Sequence, residues 1–118
     1  MAELRIISQP LKEHTWMTSL AGRMDASNFN VIEDEFNRLL ESGAKGVAID
    51  VSDLEAVSSS GLGALINLHA LLKERGGKLV MFSLPESLVG LADLLGVGDA
   101  LLTVPGRNDA NRELESIR

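Results

Sequence analysis

A chain of 118 residues that is 45% hydrophobic can build one core, and with only 3% aromatic residues that core is aliphatic. The absence of cysteine removes disulfides, thiolate metal sites and cysteine nucleophiles together. A net charge of −6, no Lys/Arg cluster and too few aromatics for base stacking argue against nucleic acid and anionic membranes as partners.

No apolar run approaches a membrane span, so membrane insertion is not expected. The start, Met1-Ala2-Glu3-Leu4-Arg5, lacks the apolar core of a signal peptide. With the missing cysteines, this fits a cytoplasmic protein. The whole chain, 1–118, reads as one domain, with a core over about 4–104 and a tail over 105–118.

Leu4-Arg5-Ile6-Ile7-Ser8 reads as a first strand that ends near Gln9-Pro10. Residues 15–21 read as a second, and the short gap between them predicts a hairpin. Gly22-Arg23-Met24-Asp25 breaks the strand pattern. A helix over about 27–42 follows, because Phe29, Ile32, Phe36, Leu39 and Leu40 share one face. Asp25 or Ser27 can cap its start, and Gly43 ends it. Residues 46–51, Gly-Val-Ala-Ile-Asp-Val, read as the most buried strand. A second helix spans about 60–75 and stops at Gly76-Gly77. Residues 78–83 form the next strand, and this strand–helix–strand order predicts a parallel pair. A third helix is expected over 86–95 and a short edge strand over 101–104. The tail either docks as a short helix through Leu114 and Ile117 or frays. The fold class is α/β: a small mixed sheet of four to five strands with helices packed mainly on one face. The other face needs the tail, a partner or polar side chains to cover it.

The chain is organised around Val57-Ser58-Ser59-Ser60-Gly61-Leu62-Gly63-Ala64-Leu65, where the strand period changes to the helical one. Three hydroxyls stand there at a helix start. Serine is a common N-cap, so capping alone accounts for one of them. The same first-turn amides and the helix dipole favour negative charge, so a phosphate placed there is partly stabilised. If the helix begins at Gly61, Ser60 is the cap and Ser59 is the free hydroxyl.

Chemistry for catalysis is missing around these serines. His69 lies two to three turns along the helix, on the order of 14 Å away at about 1.5 Å per residue. That is out of reach for a Ser–His pair. His14 lies at a turn. There is no Gly-x-Ser-x-Gly elbow and no Gly-Lys-Ser/Thr phosphate loop. Asp50 and Asp53 read as turn residues, not metal ligands. The stretch therefore reads as something acted upon, with no catalytic residues, no metal and no cofactor.

Gly22-Arg23-Met24-Asp25, then Val47-Ala48-Ile49-Asp50-Val51-Ser52-Asp53-Leu54, the Val57–Leu65 run, and Arg75-Gly76-Gly77-Lys78-Leu79 occur in an order and spacing that resemble the STAS domain family. The closer likeness is to the stand-alone bacterial anti-sigma-factor antagonists, over nearly the whole chain. The resemblance implies a protein that, unphosphorylated, binds an anti-sigma factor with ATP-dependent serine kinase activity and so frees a sigma factor. The kinase phosphorylates the antagonist at the start of the second helix, and a metal-dependent serine phosphatase reverses this. Carried onto this chain, the acceptor is Ser59, with Ser58 the second choice. Asp25 matches the family's acidic residue beside the acceptor. Ser58 departs from the family, which usually has Asp there, and Arg23 is read as a solvated loop residue. The expected partner surface is Asp25, Ser58, Ser59, Ser60, Gly61 and Leu62, with Leu62 as an exposed apolar anchor. The alternative reading is a STAS subunit of a stressosome-like or lipid-transport assembly.

Overall fold

The computed structural model describes residues 4–86, 88, 90 and 101–117. Five strands form one sheet in the order β1-β2-β3-β4-β5: β1 Leu4–Pro10, β2 Thr15–Met24, β3 Gly46–Val57, β4 Lys78–Phe82 and β5 Leu102–Val104. β1 and β2 make the expected antiparallel hairpin, and every other neighbouring pair is parallel. Three helices are described: α1 Phe29–Glu41, α2 Ser59–Glu74 and α3 Arg107–Glu115. The helix expected over 86–95 lies largely outside the described residues, although Glu86, Leu88 and Gly90 are helical.

The strand period divides the core in two. Val47, Ile49 and Val51 of β3, with Leu79 and Met81 of β4, pack under α1 and α2. The alternate residues Ala48, Val80 and Phe82, with Met17, pack against Ala110 and Leu114 of α3. The tail thus docks and covers the second face. α1 and α2 share the first face, as expected. Inside the sheet, buried Thr18 is satisfied by Ser8, with their hydroxyls 2.8 Å apart.

Two strands run past their expected ends. β3 continues from Val51 to Val57, and β2 from Ala21 to Met24. The sequence hides this because Ser52, Asp53 and Glu55 are exposed polar residues that interrupt the apolar run. The pairing also slips twice, from Ser19↔Asp50 to Ala21↔Asp53 and from Gly22↔Leu54 to Arg23↔Ala56. Each slip places an extra residue on β3. Such bulges bend a strand and re-aim the residues beyond it, and the first residue beyond β3 is Ser58.

Because β2 and β3 are parallel, their carboxyl ends and the amino ends of α1 and α2 meet at one end of the sheet. The candidate site lies at that end.

Candidate functional site

Ser58 joins β3 to α2 and uses all three of its local polar groups. Its amide donates to Met24 O at 2.8 Å, which ties it to the end of β2. Its carbonyl accepts from Leu62 N at 3.0 Å, the first helical bond. Its hydroxyl accepts from Gly61 N at 3.2 Å, and its backbone is extended, with φ −84 and ψ 169. Ser58 is therefore the N-cap, and the expectation that Ser60 caps a helix starting at Gly61 is corrected. The tertiary bond to Met24 selects among three chemically equal caps.

This shift leaves Ser59 and Ser60 as the first two residues of α2, both exposed. Their amides have no intrahelical acceptor, and the first turn carries no acidic side chain. The Ser59 hydroxyl is thus outside the cap, as expected, but with a different capping neighbour. Ser58 is half-buried with its hydroxyl engaged, which weakens it as the second acceptor.

Gly61 and Leu62 point inward. A Cβ on Gly61 would collide with Met24 Sδ and fall 3.0 Å from Val57 Cγ2. Only glycine lets the first turn of α2 settle on the ends of β2 and β3. Leu62 is 5% exposed and belongs to the core under α1 and α2. The expected exposed anchor is therefore corrected: α2 is apolar around most of its girth, and Leu62 lies on the side that faces the sheet.

Asp25 follows Met24, whose carbonyl holds Ser58. Its carboxylate accepts from the Ser27 hydroxyl at 2.5 Å and the Ser27 amide at 2.9 Å. The Ser27 hydroxyl, then the Ser27 amide, holds its pKa below the usual aspartate value. The Asp25 amide donates to Asn28 Oδ1 at 2.9 Å, and Asn28 Nδ2 donates to Arg23 O at 2.9 Å. These bonds make residues 23–28 a closed turn with a fixed anion. Neither Asp25 nor Ser27 caps α1: Asn28 holds the N-cap position and spends its side chain on the turn. Arg23 is exposed, in keeping with a solvated residue.

The histidines lie elsewhere. His69 Nδ1 accepts from Leu79 N at 3.0 Å. His14 lies in the β1–β2 turn, at the opposite end of the sheet, with Nδ1 donating to Gly43 O at 3.2 Å. Neither forms a pair with Ser58, Ser59 or Ser60. Among the described residues, no three His, Cys, Asp or Glu side chains cluster as metal ligands.

Comparison with known proteins gives a consistent answer. Residues 7–104 match the family described as Mlab, STAS domain. The anti-sigma-B factor antagonist of Bacillus subtilis (strain 168) is 29% identical over 89 residues, 75% of this chain and 81% of that protein. The solved anti-sigma factor antagonist from Mycobacterium paratuberculosis superposes with a TM-score of 0.84 at 17% identity, over 97% of this chain and 96% of that one. The phosphorylated form of the Bacillus cell fate determinant SpoIIAA gives a TM-score of 0.71 at 14% identity, over 92% and 98%. At such identities the structural likeness speaks for the fold.

Proposed function

The chain belongs to the STAS domain family, and on that premise we propose that it is an anti-sigma-factor antagonist switched by phosphorylation of Ser59. Unphosphorylated, it binds an anti-sigma factor that is also a serine kinase, and so releases a sigma factor in the cytoplasm. The observation that carries this reading is the free, exposed Ser59 hydroxyl at the first position of α2, beside a cap that occupies Ser58.

In the kinase, Ser59 Oγ attacks the γ-phosphorus of ATP. The new O–P bond replaces the bond to the departing ADP, and the hydroxyl proton passes to a base of the kinase. The phosphate brings about −1.5 to −2 charges and three acceptor oxygens. The Ser59 and Ser60 amides and the α2 dipole soften that charge within the free protein. They cannot soften it at an interface shaped around a neutral hydroxyl. The modification therefore releases the partner with little motion in the domain. A metal-dependent serine phosphatase resets the switch by hydrolysing the ester. The docking surface comprises Ser58, Ser59, Ser60 and the Asp25 turn, with Gly61 and Leu62 shaping it from beneath.

Tandem mass spectrometry after reaction with the cognate kinase, followed by a pull-down of both forms, tests the switch. Phosphate is expected on Ser59, and the Ser59→Ala protein keeps partner binding while resisting modification. Ser60 is the competing hydroxyl, because it is also exposed and uncapped. Phosphate on Ser58 or Ser60 alone would defeat the site assignment. Equal partner affinity for both forms would defeat the switch.

A further inference from the structure

We propose that the free edge of β1 pairs antiparallel with β1 of a second copy, joining two sheets about a two-fold axis at Ile6. β1 is the terminal strand of the sheet, and the other edge, β5, is only three residues long. A very short edge is one of the usual guards against strand pairing. The seven-residue β1 has fewer guards: a single charge, Arg5, and Pro10 at its end.

Its hydrogen-bonding groups follow from the hairpin. Leu11 N donates to Thr15 O at 3.0 Å, and the register pairs Gln9 with Met17, Ile7 with Ser19 and Arg5 with Ala21. Main-chain groups alternate in direction along an antiparallel strand. Arg5, Ile7 and Gln9 therefore bond to β2, while Leu4, Ile6, Ser8 and Pro10 face outward. Pro10 has no amide to offer. Among the described residues, the available outward set is Leu4, Ile6 and Ser8, with Ile6 at its centre.

A second copy fits this set, because two identical edges laid antiparallel about Ile6 pair every one of these outward groups. With Ile6 opposite Ile6 of the second copy, and Leu4 opposite its Ser8, three narrow pairs make about six main-chain hydrogen bonds. The same register sets Ile7 opposite Arg5 of the second copy in a wide pair. Ile7 is 61% exposed, more than any other large hydrophobic side chain described. In this register the aliphatic stem of an arginine covers each Ile7, while the two guanidinium groups stay apart and solvated. The contact is isologous and closes at two copies. Two chains of net charge −6 repel each other, so added salt strengthens the pair. The edge also lies two strands away from β3, whose end leads into Ser58, so pairing leaves the three serines free.

The chain has no cysteine, which makes a crosslinking test clean. Arg5→Cys and Ile7→Cys proteins, mixed and mildly oxidised, are expected to give a disulfide-linked pair. Either variant alone is expected to stay uncrosslinked, because residue 5 faces residue 7 and not itself. Light scattering after gel filtration should give twice the 12.7 kDa chain mass for the natural sequence and the single mass for Ile7→Lys, with unchanged circular dichroism. A single mass for the natural sequence even at millimolar protein would overturn the pairing. A dimer that survives Ile7→Lys, or a disulfide formed by Ile7→Cys alone, would overturn this surface or its register.

Discussion

Ser58 and His69 show how single side chains take up amides that the fold would otherwise leave open. The hydroxyl of Ser58 holds the amide of Gly61. Its replacement by alanine is expected to cost about 1 kcal/mol of stability, within the usual range of about 0.5–2 kcal/mol for a lost N-cap, read as a shift of the urea midpoint. Ser58→Asp keeps an acceptor and adds an anion at the positive end of α2, so it should be at least as stable as the natural protein. If Ser58→Ala is as stable as the parent, the capping role is wrong. His69 serves β4. Lys78 N bonds toward β3, to Lys45 O, so the Leu79 amide points the other way. β5 begins only opposite Val80, and His69 Nδ1 fills the gap. Burial, then the charges of Lys73 and Lys78, lowers the His69 pKa below its ordinary 6.5. The folded state therefore binds fewer protons than the unfolded chain just below that value. Stability from this site is complete above about pH 6.5 and falls as the pH drops through the window beneath it. Asp25 and Glu35 have lowered pKa values starting from 3.8 and 4.5, so their contributions are lost only in stronger acid. Thermal unfolding between pH 7.5 and 5 should show the decline, and His69→Asn, which retains an acceptor, should flatten it. A decline of equal size in His69→Asn would assign it to other groups.

At the scale of the element, α2 carries two glycines with opposite meanings. Gly61 is demanded from within, because a methyl group there meets Met24 and Val57. Gly63 is exposed, and nothing lies within 4 Å of where its Cβ would stand. A glycine inside a helix is less stable than alanine by about 0.5–1 kcal/mol. Gly63→Ala is therefore expected to stabilise the chain by that amount, while Gly61→Ala destabilises it by about 1–3 kcal/mol through overpacking. Gly63 is one turn beyond Ser59 on the same exposed side of α2. Gly63 thus borders the proposed docking surface, and a partner seated over Ser59 and Ser60 should meet the added methyl and lose about tenfold in affinity, equivalent to about 1.4 kcal/mol. Titration calorimetry on the Gly63→Ala protein measures the second effect, and undiminished affinity would remove Gly63 from the interface. The helix also shows what its sequence could and could not tell. Leu62, Leu65, Leu68 and Leu72 at helical spacing mark α2 plainly, and all four are buried. With Ile66 and Leu71 adding to its apolar girth, the pattern does not reveal that Leu62 faces inward. Nor can three adjacent serines declare which one caps, since that depends on Met24 O, 34 residues earlier in the chain. The far ends of β2 and β3 are illegible for a related reason: their bulges break the alternation that reveals a strand.

For the whole molecule, the covering of the second sheet face decides whether the chain is a stable unit. α3 is short and largely polar, with only Ala110 and Leu114 buried. Its edges are held by Lys78 Nζ to Glu113 at 3.1 Å and by Arg107 to Asp50 at 3.5 Å. Those pairs are solvent-accessible and each contributes at most about 1 kcal/mol. The apolar contacts must therefore supply most of the attachment. Leu114 packs with Met17, Val80 and Phe82, and it reaches Gly46, where a Cβ would stand 3.0 Å from its Cδ2. Leu114→Ala leaves a cavity between α3 and the sheet, at an expected cost of about 2–4 kcal/mol. Set against a total of about 5–15 kcal/mol for a domain, that loss is a large share of the stability. Hydrogen exchange should show its character. If α3 docks as a local unit, amides of α3 in Leu114→Ala should exchange much faster than those of α2, because the core under α1 and α2 is a separate cluster. If the amides of both helices accelerate equally, the two faces unfold as one cooperative structure and α3 is no independent cover. Loss of less than about 1 kcal/mol in urea would place the attachment in the ion pairs instead, and Glu113→Gln in high salt would then be the variant that frees the helix.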